Sequence, residues 1–286
     1  MDAVRHDETD VGTLAGRVVQ AVYACRFLTP HQVYRLFGHE GDAAERIAGR
    51  LVSAGYLAAI HRPSINPAVT TTVFALAQRG ANLIADHAGV DRRRVKWRKY
   101  HNVISLPYLE HRIAVNDVRI ALTAGLRNIG GEVDRWWYEF KIEENIDDPD
   151  ELAPPLKLRP DAYARVRVNV RHVHLFLEVD LATEAHSRIR SKIRRYLAYK
   201  DSRLFRVRMG GRAFRVLIVV PGPTRLRALK RVVEDEGGER MFWLACRPDV
   251  NERDINAPVW QLAGESRPAR LFETFQESLQ AARADR

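Results

Sequence analysis

The stretch RPDAYARVRVNVRHVHLFLEVD, residues 159–180, decides how this chain folds. Polar and apolar side chains alternate along it with a period of two, which is the pattern of half-buried β-strands. The alternation predicts one strand over Leu158–Val168 and a second over His172–Asp180. Acidic side chains stand near the start of the first strand and at the end of the second, so the pairing of these strands decides whether they meet.

The acidic side chains near this pair of strands are candidates for a metal site. Glu178 and Asp180 are two residues apart and therefore share one face of the second strand. If the two strands pair as a hairpin, Asp161 lies beside Glu178. Carboxylates that converge from adjacent strands are ligands for hard cations, so Asp161, Glu178 and Asp180 are expected to bind Mg²⁺ or Mn²⁺. Such an ion activates water and stabilises the charge of a phosphate undergoing hydrolysis.

A basic helix is predicted directly after the second strand, over Glu184–Lys200. Arg188, Lys192 and Arg195 form one stripe along it, because residues three and four apart share a helix face. Lys192 is expected to reach the acidic site from this stripe. Arg188 and Arg195 are expected to contact the phosphates of DNA.

The charge of the chain is concentrated in this region. Residues 185–230 contain 14 basic residues and one acidic residue, a net charge of +13, whereas the whole chain has a formal net charge of +10. Residues 1–90 contain eight basic and eight acidic residues. A polyanion such as DNA is therefore expected to bind the second half of the chain.

The elements predicted around the two strands indicate a mixed sheet. In chain order they are a helix over 107–125, strands over 136–142, 158–168 and 172–180, a helix over 184–200, a strand over 214–220, a helix over 224–234 and a strand over 241–245. This α-β-β-β-α-β-α-β order predicts an α/β (α+β) fold with helices on both faces of the sheet.

Residues 1–90 are predicted to form a smaller domain of three helices and two strands. The first helix covers Leu14–Phe27. Thr29 and Gln32 have the spacing of a capping box and begin a short second helix, and Asp42 is expected to cap a third. Two strands follow, over 56–61 and 71–76.

This order is typical of a winged helix-turn-helix domain, and the sequence RLVSAGYL, residues 50–57, resembles the end of the third helix in bacterial winged-helix proteins. Arg46, Arg50 and Ser53 are then expected to read the major groove, with His61 and Arg62 in the wing. The alternative is a module that dimerises or docks on its own second domain. The net charge of zero over residues 1–90 favours this alternative.

A basic segment, residues 91–106, separates this domain from the second domain, which is predicted over residues 107–286. It contains RRRVKWRK, residues 92–99. One interpretation is that the segment follows a phosphate backbone with Trp97 stacked on a base. The other is a solvated linker with one anchoring aromatic residue.

Composition excludes several other classes of protein. Cys25 and Cys246 lack the number and spacing of a disulfide scaffold or a zinc site. No apolar run reaches the roughly 20 residues of a membrane-spanning helix, and the charged start of the chain lacks a secretory signal. A cytoplasmic protein with no membrane partner is therefore expected.

Residues of the second half resemble the PD-(D/E)XK nuclease fold. The resemblance is carried by Pro160 and Asp161, a strand, Glu178 and Asp180 at the end of the next strand, and then a helix and a further strand. It implies Mg²⁺-dependent cleavage of DNA by Asp161, Glu178 and Asp180. That fold often places a further acid on the helix before the sheet, where this chain has Glu110.

A narrower resemblance covers nearly the whole chain. The segments LEHRIAVNDV (109–118), RPDA (159–162), LEVDLATE (177–184) and KIRRYLAY (192–199) are similar to those of the replication-relaxation family of phages, plasmids and integrative elements. In that family a winged helix precedes a nuclease-like domain. The resemblance implies a DNA-binding protein that acts in replication or mobilisation, with DNA and other replication or mobilisation proteins as partners.

One departure from the nuclease pattern bears on catalysis. The pattern has a lysine two residues after the strand acid, which orients water and neutralises developing charge, and this chain has Asp180 there. Lys192 is expected to replace that lysine from the next helix. Equally, a third carboxylate would tighten metal binding without hydrolysis, or Glu178 and Asp180 would pair with helix arginines in an ion network.

The sequence therefore leaves three functions open. The first is a metal-dependent DNA endonuclease of a mobile element. The second is a non-catalytic regulator whose degenerate nuclease fold only binds DNA or a partner protein. The third is an assembly scaffold in which both domains bind proteins.

Overall fold

A computed structural model of the protein describes residues 12–63, 70–138, 142–144, 156–202 and 204–272. The chain divides into two units, Met1–Ile120 and Ala121–Arg286. The division falls within a long helix, beyond the segment 91–106. Among the described residues, no helix is long and apolar enough to cross a bilayer.

The first unit combines five helices with a small antiparallel sheet. Its helices are α1 (Leu14–Cys25), α2 (Pro30–Phe37), α3 (Gly41–Ser53), α4 (Gln78–His87) and α5 (Leu106–Arg127), the last of which ends in the second unit; its strands are β1 (Phe27–Leu28), β2 (Leu57–Pro63) and β3 (Thr70–Leu76). The strand order is β1-β3-β2. The predicted three helices and two strands are present, and β1 is an addition that the sequence did not indicate.

Local signals explain how α1 to α3 begin and end. The capping box predicted at Thr29 and Gln32 is confirmed, since each side chain bonds the other residue's backbone N–H at 3.1 Å. Arg26 has a φ of 69°, which ends α1 two residues earlier than predicted and allows Phe27 to pair in the sheet. The cap predicted at Asp42 is wrong. A 3₁₀ turn leads directly into α3, no side chain caps that helix, and the backbone N–H of Gly41 bonds the oxygen of Gly38.

Buried polar side chains hold α5 against the rest of the first unit. Asn116 is fully buried, and its Nδ2 donates to the carbonyl oxygens of Cys25 at 3.3 Å and Phe27 at 2.5 Å. Gln32 Nε2 donates to Asp117 Oδ1 at 2.9 Å. The two bonds from Asn116 satisfy carbonyl oxygens at the end of α1 and in β1 that would otherwise be buried without partners. Asn116 and Asp117 therefore support the first unit.

The second unit contains a seven-stranded mixed sheet with the order β12-β11-β10-β9-β8-β7-β4, and a separate pair β5-β6. The strands are β4 (Glu132–Tyr138), β5 (Ile142–Glu144), β6 (Leu156–Leu158), β7 (Ala162–Val168), β8 (Arg171–Val179), β9 (Phe214–Val220), β10 (Phe242–Cys246), β11 (Trp260–Leu262) and β12 (Pro268–Ala269), and the helices are α6 (His186–Asp201), α7 (Leu204–Met209) and α8 (Pro223–Asp235). The predicted α/β (α+β) class and the order of the main elements are confirmed. The predicted strand over 136–142 includes residues 139–141, which lie outside the described residues.

The hairpin on which the sequence argument depends is confirmed. Strands β7 and β8 pair antiparallel, with Ala162 opposite Leu177. Strand β8 then pairs parallel with β9, and β9 parallel with β10. Because parallel strands end at the same edge of a sheet, β8 brings its acidic end to the edge at which the helices α6 and α8 follow.

Helices α6 and α8 cover one face of this sheet. Ile189, Ile193 and Tyr196 of α6 and Leu229 of α8 pack with Phe176 of β8 in one apolar core. The face of β8 that carries Glu178 is thus buried beneath α6, and the opposite face, with Leu175 and Leu177, is buried as well. A carboxylate at this position is consequently removed from bulk water.

Candidate functional site

Asp161 stands at the start of β7 and is fixed by the neighbouring strand. Its backbone N–H donates to the oxygen of Leu177 at 3.0 Å. Its Oδ2 accepts the backbone N–H of Val179 at 2.7 Å. The side chain therefore lies beside the last residues of β8, where the predicted hairpin places it.

Glu178 is the buried acid of the site, with 7% of its surface exposed. Its Oε1 accepts the Tyr196 hydroxyl at 2.7 Å, and its Oε2 accepts Lys192 Nζ at 2.9 Å. Burial and the nearby charge of Asp161 raise the pKa of Glu178 to about 7, although Lys192 and Tyr196 act in the opposite direction. Asp161 and Glu178 are thus close enough to repel each other.

Lys192 lies between two carboxylates. Its Nζ is 2.9 Å from Glu178 and 3.1 Å from Glu184, which precedes α6. Burial opposes the charge on Lys192, but the fields of Glu178 and Asp161 outweigh burial and raise its pKa. The side chain is therefore a fixed ammonium ion at any working pH.

Asp180 is held by a different cation and is turned to α8. Arg225 Nε donates to its Oδ2 at 2.6 Å and NH2 donates to its Oδ1 at 3.2 Å. The same guanidinium donates to the carbonyl oxygen of Glu184 at 2.8 Å, and the N–H of Ala182 donates to Asp180 Oδ1 at 3.2 Å. Arg225 thus ties down the turn between β8 and α6, in which Ala182 has a φ of 61°. An ion pair between Asp180 and a helix arginine, one of the alternatives left open by the sequence, is present, and the arginine comes from α8 and not from α6.

The three carboxylates expected to share one metal ion therefore divide into two sets. Asp161 and Glu178 adjoin Lys192, while both oxygens of Asp180 bind protein donors. Among the described residues, no group of three His, Cys, Asp or Glu side chains is arranged to hold a metal ion. A pair of carboxylates nevertheless fits Mg²⁺, which is usually bound by one or two carboxylates together with waters and substrate phosphates. The repulsion between Asp161 and Glu178 is the feature that a bound cation would relieve.

A pocket opens beside these charged groups and encloses about 390 Å³, its mouth included. Its charged side chains are Glu178, Asp180, Glu184 and Lys192. Its apolar wall comes from α6, α8, β9 and β10, and includes Ile189, Ile193, Ile218, Leu229 and Phe242. Charged groups beside an apolar wall exert stronger electric fields than they would in open water, because the lower local dielectric constant screens them less.

The cationic side chains of α6 are only partly available to a polyanion. Arg188 and Arg195 are exposed, and neither pairs with a carboxylate among the described residues. Arg190 and Arg194, however, both bind Glu236, at 2.9 and 2.5 Å. The local surplus of positive charge is therefore smaller than the count over residues 185–230 indicates.

The structure places the candidate DNA-binding residues of the first unit on its surface. Arg46, Arg50 and Ser53 are exposed along α3, and His61 is exposed on β2 with its Nδ1 3.1 Å from Thr72 Oγ1. Arg62 belongs to β2, and its side chain lies outside the described residues. Glu110 is half-buried on α5 within the first unit, whereas the acids and Lys192 belong to the second.

Three residues of the site were not singled out from the sequence. Tyr196 follows Lys192 by four residues and is therefore on the same face of α6, a signal that the helical period carries. Glu184 stands just ahead of α6 without any pattern that marks it. Arg225 follows Asp180 by 45 residues, and only the sheet topology brings the two together.

The buried charge of Glu178 leads to a test by pH. Its pKa is above the value of about 4.5 that is usual for Glu in an unfolded chain. This group therefore contributes its full stability below about pH 4.5, and the contribution is lost as pH rises through about 7. The free energy of unfolding of Glu178→Gln in urea, compared with that of wild type at the same pH, should therefore rise from pH 5 to pH 8. Lys192 remains charged across this window, so a relative stability that does not change with pH would contradict a raised pKa of Glu178.

Comparison with known families gives one match. A family model described as replication-relaxation matches residues 19–212, about two thirds of the chain. Neither the curated proteins nor the solved structures include one that matches. The matched range contains α3, Asp161, Glu178, Asp180 and the whole of α6.

Proposed function

Because the chain belongs to the replication-relaxation family, which points to replication or mobilisation of mobile elements, we propose that it is a DNA-binding, metal-assisted endonuclease. The first unit is its winged helix and the second its PD-(D/E)XK-like domain. The observation that carries the proposal is the meeting of Asp161, Glu178 and Lys192 at one end of β8, with Lys192 Nζ 2.9 Å from Glu178.

The two acids share one role, and Lys192 has another. Asp161 and Glu178 would hold Mg²⁺ or Mn²⁺, which supplies an activated water and neutralises phosphate charge when bound. Lys192 is a permanent cation with a raised pKa, so it stabilises negative charge that develops on the phosphate and does not act as a base. Glu184 gives the ammonium a second carboxylate, which keeps Lys192 in place when Glu178 engages another cation.

Asp180 and Tyr196 support the site from outside this set. Tyr196 donates to Glu178 and fixes the orientation of its carboxylate. Asp180, through Arg225, fixes the turn that carries Glu184. We therefore assign Asp180 a structural role, and we omit Glu110 from the catalytic set because nothing in the second unit's site requires it.

DNA contacts are assigned to the exposed cations of both units. Arg188 and Arg195 flank Lys192 on α6 and would bind phosphates on either side of the bond to be cleaved. Arg46, Arg50 and Ser53 would enter the major groove, with His61 and Arg62 in the wing.

The second candidate function is a regulator that binds DNA without cleaving it. One observation favours it: both oxygens of Glu178 and both oxygens of Asp180 already accept hydrogen bonds from protein donors. Such a protein would bind DNA equally well with or without a divalent cation. Cleavage assays on supercoiled, linear duplex and single-stranded DNA with Mg²⁺ or Mn²⁺ separate the two functions.

DNA binding by α6 predicts a defined dependence of Kd on salt concentration. The double variant Arg188→Ala/Arg195→Ala should flatten the dependence of log Kd on log salt concentration by about 1.8, because each lost phosphate contact removes about 0.9. Fluorescence anisotropy with a labelled duplex between 50 and 200 mM salt measures the slope. The matched control is Arg190→Ala/Arg194→Ala, which removes two arginines of the same helix whose charges are balanced by Glu236 and Asp235. Equal slopes in the two variants would exclude a specific contact by Arg188 and Arg195.

A further inference from the structure

The segment after α4 is an ordered part of the first unit. Val95 and Trp97 are buried, with 3% and 7% of their surfaces exposed, and both belong to the apolar core that also contains residues of α1 and α3. Trp97 Nε1 donates to Asn102 Oδ1 at 3.2 Å, and Asn102 Nδ2 donates to the carbonyl oxygen of Leu76 at 2.9 Å. The segment is therefore fastened to the core and to the end of β3, and Trp97 has no face available to stack on a base.

Internal hydrogen bonds also fix the path of the backbone between these anchors. The Arg98 guanidinium donates to the carbonyl oxygens of Trp97 at 2.8 Å and Val95 at 3.1 Å. Asp91 accepts the N–H of Arg93 at 2.7 Å and begins a 3₁₀ turn. Arg92 lies over the Trp97 ring at 5.4 Å from its centroid. Two of the six cations in residues 92–99 are thus used to shape the segment.

The other four cations are presented to solvent. They form what we call the basic ridge: Arg93, Arg94, Lys96 and Lys99. None of them pairs with a carboxylate in the part of the chain that the structure describes. Residues 91–120 contain eight basic and three acidic residues, which gives the unit Met1–Ile120 a formal charge of +5, whereas residues 1–90 alone sum to zero.

We propose that the basic ridge is a phosphate-binding surface of the first unit for duplex DNA, in addition to α3 and the wing. The proposal rests on the proposed function, since it assigns the ridge to the same nucleic acid. Two features support it: the cations stand on a fixed backbone, and they supply the positive charge that residues 1–90 lack. A fixed backbone matters because a mobile linker would lose its conformational freedom on binding, and that cost would offset much of the gain from its charges.

The test compares matched variants of the full chain. Arg93→Ala/Arg94→Ala removes two ridge arginines, and Arg253→Ala/Arg267→Ala removes two exposed arginines of the second unit that have no part in the proposed surfaces. Kd for a labelled duplex is measured across 50–200 mM salt. In Arg93→Ala/Arg94→Ala, the slope of log Kd against log salt concentration should fall by about 1.8, because each phosphate contact contributes about 0.9. In the variant that also carries Lys96→Ala/Lys99→Ala, the slope should fall by about 3.6. The control should leave the slope unchanged.

A charge-conserving variant separates the effect of side-chain charge on DNA binding from the effect of side-chain shape. Arg93→Lys/Arg94→Lys keeps both cations and should retain the wild-type slope, since counterion release depends on the charges. The substituted side chains are exposed and the anchors Val95, Trp97 and Asn102 are untouched, so the variants should unfold at the wild-type temperature, which a thermal melt checks.

Failure of the ridge and failure of the proposed function give different results. If wild type binds duplex and the ridge variants show the same slope as the control, the ridge is overturned and the proposed function stands. If wild type binds no DNA at 50 mM salt, the proposed function fails and the ridge fails with it. Sedimentation with phosphatidylserine vesicles tests the other source of phosphate; loss of vesicle binding with an unchanged DNA slope would overturn the proposal in favour of a lipid surface.

Discussion

Asp161→Asn is expected to reduce metal-dependent DNA cleavage by about 100-fold or more. The substitution keeps the size of the side chain and an oxygen for the Val179 N–H, but it removes the charge that would hold the proposed divalent cation beside Glu178. Charge stabilisation by a bound metal is worth several kcal/mol, and a loss of about 2.7 kcal/mol corresponds to a factor of 100 in rate. Single-turnover cleavage with Mg²⁺ or Mn²⁺ at saturating enzyme is the measurement.

Two companion variants make this result specific. Lys192→Met should lose cleavage to a similar degree while DNA affinity changes little, because in the proposed mechanism the ammonium would stabilise charge that develops during the reaction. Asp201→Asn alters an exposed acid at the end of α6 and should cleave as wild type. Wild-type cleavage by Asp161→Asn would refute the endonuclease assignment, and so would the absence of cleavage by wild type on every DNA and metal tried.

Asp180→Leu is expected to lower the free energy of unfolding by about 3–5 kcal/mol, because it leaves Arg225 partly buried without its partner. Asp180 is buried, with 8% of its surface exposed, and the Arg225 side chain has 18% of its surface exposed. Urea unfolding followed by far-UV circular dichroism measures the loss.

The double variant Asp180→Leu/Arg225→Met is the control for this pair. Removal of both charges leaves neither unpaired, so most of the lost stability should return. If the double variant is no more stable than Asp180→Leu, the pair does not have the structural role that we assign to it. If Asp180→Leu unfolds at the wild-type urea concentration, the ion pair does not stabilise the fold and the structural role assigned to Asp180 is wrong.

The strand and helix periods of the sequence predicted the part of the site whose residues are near one another along the chain. Alternation gave β7 and β8, so the proximity of Asp161 and Glu178 followed from one hairpin. The helical period put Lys192 on the stripe that faces Glu178. These predictions worked because each depends on the geometry of a single element or of two adjacent ones.

The partners that come from distant parts of the chain could not be predicted in this way. Nothing near Asp180 indicates that Arg225 of α8 will bind it, so the sequence offered an ion pair with helix arginines only as an alternative and did not identify the partner. Trp97 carries no sequence signal that it enters a core, because a buried aromatic anchor and an exposed one look alike within a basic run. Tertiary packing decides both cases.

The contrast between near and distant partners has a consequence for how the protein is made. Asp161, Glu178 and Lys192 lie within 32 consecutive residues, whereas Arg225 is 45 residues beyond Asp180. During synthesis the hairpin and α6 emerge before α8, and short-range contacts form faster than long-range ones. The acids and the lysine should therefore assemble in an intermediate that still lacks Arg225, and hydrogen-exchange labelling during refolding should protect β7, β8 and α6 before α8. Simultaneous protection of all four elements would contradict this order.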